Sequence, residues 1–265
     1  MGGVGLEGRT ALVTGAARGI GRATAGILAA AGSDVAVADL DASVEKTADA
    51  VRESGRRSAA ASFDISDPEA VEKGVVALRG ALGPIDVLIN NAGIVNHIAP
   101  VARMTREGWE RELSVNLTGA FHMIQALLPD MVEKGWGRII VISSGAAHGG
   151  LHRQAGYAAS KSGLIGLAQT VALEHGRHGI TCNAILPGMI ETELVSAMPA
   201  ELREASVART PTRRLGHMEE VGQLIAFLAS DAAGFINGAE IDIDGGLRLN
   251  TASLGSRREV REAGS

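Results

Sequence analysis

Thr14-Gly15-Ala16-Ala17-Arg18-Gly19-Ile20-Gly21 follows the apolar run Ala11-Leu12-Val13 and leads into an alanine-rich stretch. A strand that ends in a glycine-rich turn and opens a helix predicts a seat for an anion. Glycine lets the backbone turn sharply and approach a phosphate closely. The helix N-terminus adds unpaired N–H groups and the positive end of a dipole. The spacing is GxxxGxG, not the GxGxxG of the commoner dinucleotide fingerprint. A plain glycine-rich turn is the competing reading. The position between a first strand and a first helix argues against it.

Outward from this loop, apolar runs alternate with longer amphipathic stretches. Strands are expected at 11–14, 34–39, 58–63, 85–90, 138–143, 180–186 and 239–244. Helices are expected near 19–31, 42–54, 68–82, 106–134, 153–175 and 218–230. Asp67-Pro68 supplies an N-cap followed by proline at the first helical position. Continuously apolar strands alternating with helices predict an α/β fold: a single-domain, Rossmann-like, doubly wound parallel sheet of about seven strands with helices on both faces. Its crossovers should be right-handed. No repeat or linker divides residues 1–248, and 249–265 reads as a polar tail.

Composition narrows the function classes. Of 265 residues, 46% are hydrophobic but only 3% aromatic, so the core is aliphatic and base-stacking platforms are disfavoured. A net charge of −5 gives no basic field for nucleic acid or anionic membrane. Cys182 is the only cysteine, which excludes an intrachain disulfide and fits a reducing compartment. Residues 1–9 lack the apolar core of a signal peptide, and no run reaches the ~20 residues that span a bilayer. A cytoplasmic protein is expected.

Two further features carry chemistry. Tyr157 is the only tyrosine, and Lys161, one of four lysines, lies one helical turn later. Side chains at i and i+4 share a helix face, and an ammonium beside a phenol favours phenolate. The pair could serve as an acid–base group, or be a core tyrosine with a surface lysine. Asp39 closes the second strand, 18 residues after Gly21. A carboxylate there can accept ribose hydroxyls and would repel a 2′-phosphate. It could instead cap the next helix. Arg18 pulls the other way, toward a 2′-phosphate. The balance points to NAD, with NADP less favoured.

With these pieces in order, the chain resembles the short-chain dehydrogenase/reductase family from about Leu6 to Leu247. The matching residues are Thr14-Gly15-x-x-x-Gly19-x-Gly21, Asp64, Asn90-Asn91-Ala92-Gly93, Asn116, Ser144, Tyr157-x-x-x-Lys161, Pro187-Gly188 and Thr192. The resemblance implies an NAD(P)-binding catalytic domain over 1–248. It makes Tyr157 the general acid or base and Lys161 the holder of the nicotinamide ribose. Ser144 would bind the substrate oxygen, with Ser143 as the competing choice. Asn116 would hold a water linking Lys161 to solvent. Gly15, Arg18, Gly19, Ile20, Gly21, Asp39, Asp64, Ile65, Asn91, Ala92, Gly93, Tyr157, Lys161, Pro187, Gly188, Ile190 and Thr192 would contact the cofactor. The loop with His148, His152 and Gln154 would line the substrate pocket beside Ser144 and Tyr157.

Residues 189–215 read as a lid, apolar at roughly helical spacing through Met189, Leu194, Val195, Met198 and Leu202, or as an ordinary amphipathic helix. His148 and His152 straddle Gly149-Gly150, and His175 and His178 suit a helix end. With no ligand-like carboxylates or thiols beside them, no metal is expected. Ala155, Ala158, Ala159, Ser162, Gly163 and Gly166 permit close packing of the Tyr157 helix. In the family that helix and the preceding one form subunit contacts, so a homotetramer is expected, or a dimer.

The resemblance leaves three functions open. The first is an NAD(H)-dependent secondary alcohol dehydrogenase or ketone reductase. The second is an NADPH-dependent 3-oxoacyl-[acyl-carrier-protein] reductase, weakened by the diluted basic character of Glu133-Lys134-Gly135-Trp136 and Arg177-His178. The third is a nucleotide-binding regulator without turnover, against which the intact set Asn116, Ser144, Tyr157 and Lys161 argues.

Overall fold

The protein is described by a computed structural model that covers residues 5–249. Seven parallel strands form one sheet in the order β3-β2-β1-β4-β5-β6-β7. They are β1 (Thr10–Thr14), β2 (Asp34–Asp39), β3 (Ser58–Ser62), β4 (Val87–Asn90), β5 (Gly137–Ile142), β6 (Ile180–Pro187) and β7 (Glu240–Ile243). Between them lie α1 (Gly19–Ala30), α2 (Glu45–Glu53), α3 (Pro68–Leu82), α4 (Arg106–Leu113), α5 (Gly119–Lys134), α6 (Ala146–Gly149) and α7 (Ala155–His175). The series continues with α8 (Glu193–Ser196), α9 (Ala200–Arg209) and α10 (Met218–Ala229).

Strand side chains alternate between two cores, as a period of two requires. Leu12, Ile139 and Val141 pack with α3, α5 and α7 residues such as Leu78, Leu127 and Leu164. Ala11, Val13, Ile140 and Ile142 pack on the other face with Leu28 of α1 and Ile225 of α10. β1, β4, β5 and β6 are buried along their whole length, which is why their sequences read as continuous apolar runs. Cys182 sits in the middle of β6 at 0% exposure, where burial pushes its thiol far up.

β1 pairs with β2 on one side and β4 on the other. The chain direction reverses across the sheet at this point, and a crevice opens beyond the carboxyl ends of the strands. Thr14 and Asn90, the last residues of β1 and β4, stand on its floor.

The elements differ from expectation in three places. The helix expected over 106–134 is broken by a π-helical turn, Ser114–Thr118, in which the Gly119 N–H donates to Ser114 O five residues back. The helix expected from 153 begins at Ala155, and the separate short α6 precedes it. The 189–215 segment holds two helices, α8 and α9. Asp67 does cap α3, accepting from Glu69 and Ala70 N–H. Of the expected tail, 250–265 lie outside the described residues. No helix among the described residues is long and apolar enough to cross a membrane.

Candidate active site

The glycine loop is shaped by close backbone approach. Gly15 and Gly19 have φ of 64° and 57°, which side-chain-bearing residues rarely adopt. A Cβ on Gly15 would lie 2.8 Å from Ala92 Cα, and one on Gly21 would strike the Gly15 carbonyl oxygen. Thr14 Oγ1 accepts from Asn91 and Ala92 N–H at 3.1 Å, and Asn91 Nδ2 donates to Thr14 O and Gly15 O. Asn91 and Ala92 thus lock the end of β4 to the loop after β1. Arg18 stands exposed at the N-cap of α1, and Ile20 lies in its first turn.

A second anion reaches the same helix end. Arg22 pairs with Glu193 at the start of α8. The Glu193 carboxyl is held below its usual range by its own N–H, by Arg22 and by the Gly19 N–H. Thr192 caps α8 through Oγ1, 3.3 Å from Val195 N, and its methyl lies 3.7 Å from where a Gly19 Cβ would be. Ile190 bridges to Gly216, so the 189–215 segment starts from a fixed anchor. Pro187 ends β6, and its carbonyl accepts from Gly145 N–H. Gly188 approaches Asp244 so closely that a Cβ would lie 2.8 Å from its Cα.

At the far end of the crevice, Asp39 Oδ2 accepts from Ala17 N–H at 2.9 Å and Oδ1 from Asp41 N–H at 3.0 Å. Asp39 is therefore not the helix cap. Asp41 instead caps the 3-10 turn Ala42–Val44 that precedes α2, through Ser43 N–H, which together with nearby Arg18 and Lys46 lowers its carboxyl. Asp64 Oδ1 accepts from the N–H and hydroxyl of Ser66, and Oδ2 from Arg111 at 3.0 Å. Partial burial works to raise this carboxyl, but the Ser66 and Arg111 bonds outweigh it and hold it low. Ile65 is buried, with its carbonyl 3.1 Å from His122 Nδ1.

The titrating residues meet where β5 and α7 converge. Ser144 follows β5, stands beside the Tyr157 phenol closely enough to favour its ionised form, and accepts from Ala146 N–H. Ser143 instead points inward and donates to Lys161 O. Lys161 Nζ lies 5.6 Å from the Tyr157 ring centre and donates to Ile142 O at 2.7 Å. Burial lowers its ammonium to about 8. The phenol goes the other way from expectation. Burial pushes it up, Ser144 pulls it down, Glu112 pushes it up, and the net direction is upward. Lys161 does not lower it in the protein by itself, because the ammonium is turned to Ile142.

Asn116 sits inside the π-helical turn at 1% exposure. Its Oδ1 accepts from Ile94 N–H at 2.7 Å, and its Nδ2 donates to Ile94 O and to Ser160. A Cβ on Gly93 would lie 3.3 Å from both Asn116 Oδ1 and Lys161 Nζ, so only glycine leaves this corner open. Of the pocket-loop residues, His148 Nε2 lies 2.8 Å from a Glu240 oxygen, away from Tyr157. His152 is exposed. Gln154 Oε1, just before the Tyr157 turn, is enclosed and has no partner among the described residues.

Four residues went unforeseen: Arg22, Arg111, Glu112 and Glu193. Glu112 is the most telling. It is four residues before Asn116 and therefore on the same inward helix face, a spacing visible in the sequence. The open cradle at Gly15, Gly21 and Gly93, the helix N-terminus and the carboxylate of Asp39 together fit a nicotinamide dinucleotide. Among the described residues no group of three or more His, Cys, Asp or Glu side chains could hold a metal.

Residues 15–248 match a family model described as enoyl-(acyl carrier protein) reductase. The chain is 38% identical over 245 residues to 3-oxoacyl-[acyl-carrier-protein] reductase of Vibrio cholerae, covering 92% of this chain and 99% of that one. It is 43% identical over 239 residues to acetoacetyl-CoA reductase of Rhizobium meliloti, covering 90% and 98%. Among solved structures, levodione reductase superposes with a TM-score of 0.87 at 35% identity, covering 91% and 97%. A protein of Agrobacterium tumefaciens provisionally assigned as a 2-deoxy-d-gluconate 3-dehydrogenase, with bound NADP, gives 0.85 at 36%, covering 92% and 98%.

Proposed function

The chain belongs to the short-chain dehydrogenase/reductase family, and from that premise we propose that it interconverts a secondary alcohol and a ketone using NAD(H), with Tyr157 as the general acid–base group. It is an oxidoreductase acting on a CH–OH group. The observation that carries the proposal is the Tyr157 phenol, beside Ser144 and one turn from the buried Lys161, whose Nζ lies 5.6 Å from its ring centre. A bound nicotinamide supplies or accepts the hydride. In reduction Tyr157 donates its proton to the carbonyl oxygen, which Ser144 helps to hold. In oxidation the phenolate takes the proton from the alcohol. Lys161 holds the ribose, and Asn116 anchors the proton outlet to solvent. Gly15, Gly19, Ile20, Gly21, Asn91, Ala92 and Gly93 line the backbone cradle. Asp64 and Ile65 close the adenine end. Pro187, Gly188, Ile190 and Thr192 close the nicotinamide end, and Gln154 reaches the substrate side.

The preference for NAD rests on Asp39 at the ribose position and on Asp41, which sits close enough to Arg18 to engage its charge. The NADP bound to the Agrobacterium protein favours the other cofactor. The second reading, a 3-oxoacyl-[acyl-carrier-protein] reductase, is favoured by the match to the Vibrio protein over 99% of its length. Against it, Lys134 is paired with buried Asp86 and offers little to an acidic carrier. The reading includes one catalytic unit over 1–248, a cytoplasmic location suited to the unoxidised Cys182, and a homotetramer. Exposed Trp109 and Phe121 on α4 and α5 support the last.

A turnover screen of secondary alcohols, ketones and 3-oxoacyl thioesters with both nicotinamide cofactors tests the proposal. NAD(H)-dependent turnover that Tyr157→Phe lowers by about 10³-fold or more is the expected result. No turnover with either cofactor, or full activity in Tyr157→Phe, would sink it. A stable monomer at micromolar concentration in sedimentation would count against the tetramer.

A further inference from the structure

Glu112 lies at 0% exposure on the last turn of α4, against the start of α7. Its Oε1 accepts two backbone N–H groups, Asn96 and His97, both at 3.1 Å. Its Oε2 is enclosed and has no hydrogen-bond partner among the described residues. That oxygen faces Gly156, where a Cβ would lie 2.5 Å away, directly before Tyr157. A fully enclosed carboxylate with one bare oxygen is costly, and an apolar side chain of similar volume would usually suit the site better. Its presence calls for a role that an apolar side chain cannot fill.

We infer that Glu112 is a positioning residue of the active site, whose carboxylate clamps the 94–97 segment onto the turn that bears Tyr157 and whose charge sets the pH range in which the phenol works. This rests on the acid–base reading of Tyr157 and goes beyond it. The clamp joins three parts of the site. The 94–97 segment is also held by Asn116 through Ile94 and is tied to the 145–156 loop by the Ala99 N–H bond to Arg153 O. α7 comes close enough at Gly156 to admit no side chain. The charge of Glu112 acts on the phenol through space and opposes its ionisation.

Arg106, Glu107 and Glu110 of α4 are exposed to solvent. Lys161, on the same helix as the phenol, donates to Ile142 O. His97 Nε2 accepts from Thr105 N–H. His148 of α6 faces Glu240, and Arg111 of α4 faces Asp64. His152 and Arg153 are exposed in the turn before α7, and Cys182 of β6 lies deep in the sheet. His122 of α5 is at Ile65.

The test compares wild type with Glu112→Gln in the full-length protein. Glutamine keeps an acceptor for Asn96 and His97 and removes the charge. Alcohol oxidation needs the ionised phenol, so kcat/KM rises with pH. Loss of a nearby negative charge should move that rising limb to lower pH by about one unit. A folded variant whose limb stays in place, whatever its melting temperature, overturns the inference. Should Glu112→Gln not fold, Glu112→Met fills the same space without polar atoms and is read by the same profile. A second readout needs no turnover. Tyr157 is the only tyrosine, so the ultraviolet titration of phenolate reports it directly. The Gln or Met midpoint should fall below that of wild type, and an unmoved midpoint overturns the inference. A wild type without turnover would defeat the enzymatic reading and leave this titration to decide on Glu112.

Discussion

Lys161 carries a cost that the sequence does not show. The i, i+4 spacing puts it beside Tyr157, but only the fold buries it at 4% exposure and lowers its ammonium to about 8. An unfolded lysine keeps its proton up to about 10.4, so between these values the unfolded chain binds more protons and stability rises with pH. Below about 8 the cost is fully present. Lys161→Met should therefore stabilise the protein by on the order of 2 kcal/mol near neutral pH while abolishing turnover. In denaturant unfolding the gain should shrink as pH rises toward 10; a destabilised variant at neutral pH would contradict this. Asp39 gives a second residue-level prediction. Its carboxylate is fully ordered by Ala17 and Asp41 N–H. Asp39→Ala should weaken NAD by roughly tenfold and narrow the gap to NADP; an unchanged preference in binding titrations would refute it. The convergence of Tyr157, Lys161 and Ser144 at one corner of the fold was legible from spacing. The upward direction of the phenol was not, because it depends on burial and on Glu112, which reads in Trp109-Glu110-Arg111-Glu112 as part of a solvated face.

At the scale of elements, the strands were legible because burial on both faces demands continuous apolar runs. The π-helical turn at Ser114–Thr118 was not, since one extra residue in a turn barely disturbs a 3.6-residue pattern. That turn aims Asn116 at Ile94 and Ser160. The 189–215 segment read as a lid or one amphipathic helix; its division into α8 and α9 was not legible, because short exposed helices have little apolar face to read. The contact of α8 with α1 has a consequence for binding. Glu193 takes the Gly19 N–H and Arg22, donors at the helix end that a diphosphate would also use. Glu193→Gln should tighten NADH binding severalfold, measured by calorimetry at fixed salt; weaker binding would show that the carboxylate helps to build the site instead.

Across the whole molecule, the two ends of the sheet do different work. Chemistry collects at the carboxyl ends, whereas the amino ends carry a structural knot. There Asp86, 2% exposed, accepts from Thr10 N–H at 3.1 Å and pairs with Lys134, and its own backbone bridges β1 and β5. Asp86→Asn should lose about 2 kcal/mol of stability with kcat unchanged. Equal losses in both would deny this division. The doubly wound parallel sheet was legible from element order, since parallel strands must be joined by covering helices, whereas the strand order was seen only in the fold. Cys182 adds a practical consequence. Its thiol lies in the middle of β6, with strands on both sides and helices above and below. Alkylating reagents can reach it only when the sheet itself comes apart. The rate at which this single thiol is labelled in native buffer is thus a built-in clock for global opening, independent of any substrate.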